Sequence, residues 1–134
     1  METTVKPCQF TVDGKVLLLK CINKDFTSYE GLQWPKSGLV EAPDWNPKPD
    51  CGGGLHGWPW GIGIGNGKIP CYSSKSVWLV FSADPNDIVD LGGKAKCRKC
   101  EVILYGTFFE CYTRIVFLEL VSLPLYSSSA RAPQ

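Results

Sequence analysis

The stretch from residue 34 to residue 70 constrains this chain more than any other. It holds nine of the 14 glycines, six of the ten prolines and four of the five tryptophans. Glycine and proline at that density rule out a long helix. Tryptophan at that density argues against a flexible linker. A segment with no regular backbone ladder stays ordered only by burying side chains, so some of these aromatics must belong to a core. Residues 42–50, Ala-Pro-Asp-Trp-Asn-Pro-Lys-Pro-Asp, can form neither helix nor central strand, because proline removes amide donors and restricts the residue before it. Cys51-Gly52-Gly53-Gly54-Leu55-His56-Gly57 allows unusual backbone angles and close approach. A second glycine run follows at 61–67, where Asn66-Gly67 suggests a turn. Leu39-Val40 could form a short strand.

The flanks read as β structure. Residues 9–12 and 15–22 around Asp13-Gly14 predict a hairpin with a primed turn. Val16-Leu17-Leu18-Leu19 is continuously apolar, which predicts a strand buried on both faces. Residues 23–29 suit a turn or short helical segment with Asp25 or Thr27 as a cap. Residues 76–82 and 101–105 are β-branched and aromatic, and predict strands. Asp84-Pro85-Asn86-Asp87 reads as a turn resembling a helix start, with a further short strand at 88–91 closed by Gly92-Gly93. Residues 96–99 form a basic connector. Residues 108–123 are almost continuously apolar and fit either helix or strand.

The sum is an α+β fold: a β-rich single domain with a mostly antiparallel sheet of about five to seven strands, one or two helices and a long ordered Gly/Pro/Trp loop region. With 134 residues, 44% of them hydrophobic, the chain suits one globular domain. Residues 1–126 are expected to form it, and residues 127–134 a disordered polar tail. No internal repeat is present.

The formal charge of +1 gives no global field for nucleic acid, so direct binding to it is not expected. The N-terminus lacks a basic start followed by an apolar run, and no apolar stretch is long enough to span a bilayer. The expectation is a cytoplasmic protein without a membrane partner. Its seven cysteines would then be mostly free thiols packed as small hydrophobes.

His56 is the single histidine, which excludes multi-histidine metal sites. Its position after Gly52, Gly53 and Gly54 suggests an anion-binding nest, with the imidazole lining a pocket for a phosphate or nucleotide-like small molecule. The alternative is that His56 hydrogen-bonds a loop carbonyl and pins the glycine turn. Trp34, Trp45, Trp58 and Trp60 are the candidate recognition surface, since exposed aromatics anchor interfaces and stack on bases. At least two of the four are expected in the core. Cys97-x-x-Cys100 has metal-ligand spacing and could complete a zinc site with Cys51, His56 or Cys71. A buried thiol leading into a strand explains Cys100 as well. Lys94, Lys96, Arg98 and Lys99 could meet phosphates or an acidic partner, or form a solvated connector. No residue is singled out as catalytic and no cofactor is expected.

Thr27-Ser28-Tyr29-x-Gly31-Leu32-x-Trp34-Pro35, Ala42-Pro43-Asp44-Trp45 and Cys51-Gly52-Gly53-Gly54-Leu55-His56-Gly57 together resemble a family of small, largely uncharacterised phage and prophage proteins. Val77-Trp78-Leu79-Val80, Val89-Asp90-Leu91-Gly92-Gly93-Lys94 and Cys100-Glu101-Val102-Ile103-Leu104-Tyr105-Gly106 fit the same pattern, which spans about residues 16–115. That resemblance implies a phage accessory protein in the cytoplasm of an infected bacterial host. It would bind and inhibit a host defence protein, as anti-CRISPR proteins do, or sequester a nucleotide signal. A weaker resemblance, in element order alone, is to ADP-ribosyltransferase-like folds. It implies an enzyme using Lys20 and one of Glu101, Glu110 and Glu119. A zinc-stabilised structural module is a further alternative.

Overall fold

The structure, a computed structural model, describes residues 7–28, 31–50, 52–64 and 76–121. Among these are seven strands and one α-helix: β1 (Val16–Asn23), β2 (Gly38–Glu41), β3 (Leu55–Pro59), β4 (Ser76–Ala83), β5 (Ile88–Asp90), β6 (Ala95–Cys97), β7 (Lys99–Gly106) and α1 (Phe108–Val121). The strands make one sheet in the order β2-β7-β4-β1-β3-β6-β5. All its pairings are antiparallel. The α+β expectation holds, with a β-rich antiparallel sheet and one helix.

β1 lies in the middle because it is apolar on both faces. Val16, Leu18 and Leu19 have no exposed surface. Each such side chain stabilises the fold by about 1.5–3 kcal/mol. β1 pairs with β4 from Val16↔Ala83 to Asn23↔Ser76, and with β3 through Leu18↔Pro59 and Leu19↔Trp58. On β7, Cys100 and Val102 are buried while Lys99, Glu101 and Ile103 face solvent. The β4–β7 register shifts between Val80 and Phe81, which pair with Leu104 and Val102, so Ile103 is the extra residue of a β-bulge.

Two local expectations are corrected. Asp13 (φ 56) and Gly14 (φ 77) do make a primed turn. The arm before it is not a strand, however: one bridge, Val12↔Lys15, is all that forms, and Pro7–Gln9 is a 3-10 turn. β1 already has β3 and β4 as neighbours, so no free edge is left for that arm. The chain instead turns away to cover Trp60, whose Nε1 donates to the Phe10 carbonyl at 2.9 Å.

The Gly/Pro/Trp segment carries the short strand expected at Leu39-Val40, as β2, and the second correction is that Leu55–Pro59 forms a further strand where only loop was expected. β3 sits between β1 and β6 and carries Gly57. A Cβ at Gly57 would lie 2.8 Å from Cζ of Phe81 and 3.1 Å from the Leu19 carbonyl oxygen. The glycine is there because an aromatic ring from β4 fills the space. After β3 the chain reverses through Trp60 (φ 56) and Gly61 (φ 71), with the Ile62 amide donating to the Pro59 carbonyl at 3.0 Å. Positive φ at both central positions defines a type I′ turn. Trp60 bears a left-handed conformation that bulky residues avoid. Its backbone N–H bond to the Leu17 carbonyl (2.7 Å) and its buried ring hold it there.

The ambiguous segment after residue 107 is a helix. The Glu110 amide donates to Thr107 Oγ1 at 3.1 Å, and the Thr107 amide donates to Glu110 Oε1 at 2.9 Å. That reciprocal pair is a capping box. α1 packs on β4, β7 and β1, burying Cys111 and Ile115 completely. Phe108 meets Trp78 edge-on, with centroids 4.8 Å apart, and stacks on Tyr112. The turn expected at Asn66-Gly67 and the tail expected at 127–134 lie outside the described residues.

Candidate functional site

The predicted binding residues fall into two groups. Trp34, Trp58 and Trp60 are core residues, exposed by 2%, 7% and 1%. Trp34 Nε1 donates to Ser28 Oγ at 2.9 Å, and its ring lies 5.3 Å from that of Phe81, centroid to centroid. Trp58 sits beside Trp78. The second group, Trp45, Gly52, Gly53, Gly54 and His56, gathers around a residue that sequence reasoning placed elsewhere: Lys96.

Lys96 has no exposed surface. Its Nζ donates to the carbonyls of Asp50 (2.9 Å) and Gly52 (3.0 Å) and lies 5.6 Å from the centroid of the Trp45 ring. The connector reading of residues 96–99 is therefore corrected for Lys96, which is the middle residue of β6. The physical reason is local. The proline-broken loop leaves carbonyls without ladder partners, and a buried ammonium supplies the missing donors. The sheet register sets His56 opposite Lys96. His56 Nε2 accepts the Gly52 amide at 3.4 Å. Gly53 accepts the Asn46 amide through its carbonyl (3.0 Å), and Gly54 lies against Trp45 and the Lys96 stem.

Electrostatics keep the imidazole neutral. Burial is the main cause, and the positive charges of Lys20, Lys94 and Lys96 add to it. Together they push the His56 pKa down from 6.5 to about 4, against an opposing hydrogen bond with the Gly54 backbone. A neutral ring accepting an amide and an ammonium bonded to two carbonyls beside the Trp45 ring tie residues 44–50 and 52–54 to β3 and β6.

The other candidates also have positions. Arg98 pairs with Asp87 at 3.1 Å, and Lys99 is exposed. Cys97 and Cys100 come together in the core, where a hydrogen bond to Cys97 and burial raise the Cys100 thiol pKa. Among the described residues no group of three or more His, Cys, Asp or Glu could hold a metal ion. Cys51 and Cys71 lie outside the described residues. Cys97, Cys100 and Cys111 are free thiols. Burial pushes Cys111 up to about 12.

Sequence reasoning missed one feature. α1 turns apolar side chains to solvent as well as to the sheet: Phe109 is 76% exposed and Phe117 59%. The available signal was the near-continuous apolarity of the segment itself, since a helix apolar all round needs a cover on its second side. Among the described residues no helix is long and apolar enough to cross a membrane.

The described residues thus form a sheet whose tryptophans are mostly consumed by the core, a loop tied down by a buried lysine, and one helix with an exposed apolar side. In sequence the chain is similar to bacterial ice nucleation proteins. It is 30% identical over 95 residues to ice nucleation protein InaA of Pantoea ananas, a match covering 71% of this chain and 7% of that protein. It is 32% identical over 95 residues to an ice nucleation protein of Pseudomonas fluorescens, covering 69% and 8%. The corresponding protein of Pseudomonas syringae is 31% identical over 98 residues, covering 72% and 8%. The chain thus spans less than a tenth of the length of these relatives. No family model matches, and no solved structure matches.

These similarities overturn the phage reading. The relatives are ice nucleation proteins of Pantoea, Enterobacter and Pseudomonas, not phage proteins. The anti-defence and anti-CRISPR role rested on that reading and falls with it, as does placement in the cytoplasm of an infected host. The ADP-ribosyltransferase-like resemblance gives way as well. Lys20 sets its ammonium 5.6 Å from the centroid of the Trp34 ring, Glu110 caps α1, and Glu101 is exposed on β7.

Proposed function

We propose that this chain is a docking module of a protein related to the ice nucleation proteins. It organises neighbouring polypeptide, not water. The observation that carries this reading is the solvent-facing apolar side of α1, where Phe109, Phe117, Leu120 and Val121 are each more than half exposed. Exposed apolar patches of this kind mark interaction surfaces in soluble domains. Seeding ice calls for an extended, regularly repeated surface. This chain has no internal repeat and matches only 7% to 9% of its relatives' length. The templating activity would belong to other parts of such a protein.

Two measurements test the reading. Supercooled droplets containing the purified chain should freeze no warmer than buffer droplets. A hydrophobic fluorescent dye should bind the folded chain, and Phe109→Ser with Phe117→Ser should remove most of that binding while the near-ultraviolet tryptophan signal stays unchanged. Freezing well above the buffer temperature, or dye binding indifferent to both substitutions, would overturn it.

A further inference from the structure

We propose that the open edge of β2 is a strand-addition site for an extended peptide of another protein, one that carries a basic residue two positions before an apolar one. The site uses no residue of α1 and goes beyond the docking reading above. The Ala42 amide donates to the Arg98 carbonyl at 2.9 Å. The register puts Val40 opposite Cys100 and Gly38 opposite Val102. Antiparallel bonds alternate along a strand, so Gly38, Val40 and Ala42 turn their main-chain groups toward β7, and Leu39 and Glu41 turn theirs the other way. β2 is an end strand of the sheet. The N–H and C=O groups of Leu39 and Glu41 therefore have no ladder partner among the described residues. Pro43, the next position on that edge, has no N–H and ends the site there.

This row of groups selects the occupant. Its donors and acceptors recur at the two-residue repeat of a strand, and an extended main chain matches all of them at once. The other end strand is closed to the same use. β5 has three residues, the Ile88 amide is spent on the Pro85 carbonyl, and Asp90 is exposed. Short, charged edges are how sheets deter added strands. β2 keeps both outward amides and shows Leu39, 81% exposed.

Side chains set which sequence is read. Leu39 and Glu41 are both exposed and share the outer face of β2. Residues directly opposite on neighbouring strands share a face. The sheet is antiparallel throughout. A strand added in that sense puts the peptide's basic residue opposite Glu41 and its apolar residue, two positions later, opposite Leu39. Glu41 forms no ion pair among the described residues, so the basic side chain meets an unspent carboxylate. The apolar side chain covers Leu39. A few main-chain bonds and one apolar pair make a weak site, with a Kd on the order of 100 μM.

Amide NMR of the full chain, titrated with the capped peptide Ser-Thr-Lys-Thr-Leu-Thr-Ser, tests this. The Leu39 and Glu41 amide signals should shift, and their hydrogen exchange should slow roughly tenfold at ~1 mM peptide. The Val40 amide, already turned to β7, should exchange as before. N-methylation of the peptide's lysine or leucine should weaken binding about tenfold. N-methylation of the threonine between them, whose amide faces away from β2, should leave binding unchanged. Glu41→Lys, an exposed position, should weaken binding about threefold at low salt, less at high salt, and an unchanged tryptophan signal confirms the fold. Several results would overturn the proposal: no shift at Leu39 and Glu41 up to ~3 mM peptide, equal weakening by all three N-methylations, or a Glu41→Lys variant that binds as well as the parent at low salt. Self-association of the free chain through β2 would do so too, because the occupant would then be a second copy. None of these results touches dye binding at α1, so the two readings fail separately.

Discussion

Lys96 ties the proline-broken loop to the sheet from a fully buried position on β6. Burying an ammonium is costly unless its donors are used. Its use on Asp50 and Gly52, with the Trp45 ring at 5.6 Å, explains how a loop with three prolines between residues 43 and 49 is held to the sheet. Lys96→Met keeps the apolar stem and removes the donors. It leaves two carbonyls without a partner, so the expected loss is about 1–3 kcal/mol. That loss should appear as a lower denaturant midpoint. Amide exchange should speed up most in the 44–54 loop, because only that segment loses its tie. Exchange that rises evenly across β1 and β4 would mean that Lys96 serves general packing instead.

At the scale of elements, α1 shows what a sequence can and cannot declare. Its apolar residues surround the whole helix, so no 3.6-residue period separates it from a strand. The Thr107 and Glu110 pair was the legible sign of a helix start. Thr107→Ala should cost about 1 kcal/mol in stability, read from equilibrium unfolding, while Thr107→Ser should cost little because the oxygen acceptor remains. Equal losses in the two variants would mean that the cap contributes through its methyl group. β4 and β7 were legible because β-branched and aromatic residues dominate them. β3 was not, since Gly57 and Pro59 both argue against a strand. What places a glycine there is the ring of Phe81, contributed from 24 positions along the chain. The candidate site was legible as a cluster of Trp, Gly and His. The residue that organises part of it, Lys96, was not, because the pairing of β6 with β3 is what brings it into place.

For the whole molecule, His56 links stability to pH. Its folded pKa of about 4 lies below the 6.5 of an unperturbed imidazole. Between those values the unfolded chain binds a proton that the folded chain refuses, so stability falls as pH drops from 6.5 toward 4 and levels off below. The shift sets an upper bound of about 3 kcal/mol at ~1.4 kcal/mol per unit. Solvent screening at a partly exposed ring brings the expected loss to ~1–2 kcal/mol. Two carboxylates act elsewhere or with opposite sign. Asp25 is held below its usual 3.8 mainly by the Thr27 hydroxyl, so its contribution is lost only at lower pH. Glu119 is raised by burial, so it takes up its proton more readily in the folded chain and opposes the trend. His56→Gln keeps an acceptor for the Gly52 amide and removes the titration. Denaturant unfolding of both proteins from pH 7.5 to 4 should show their curves parallel above pH 6.5, with only the parent falling away below it. A His56→Gln variant that loses stability as steeply as the parent would place the pH dependence in other groups.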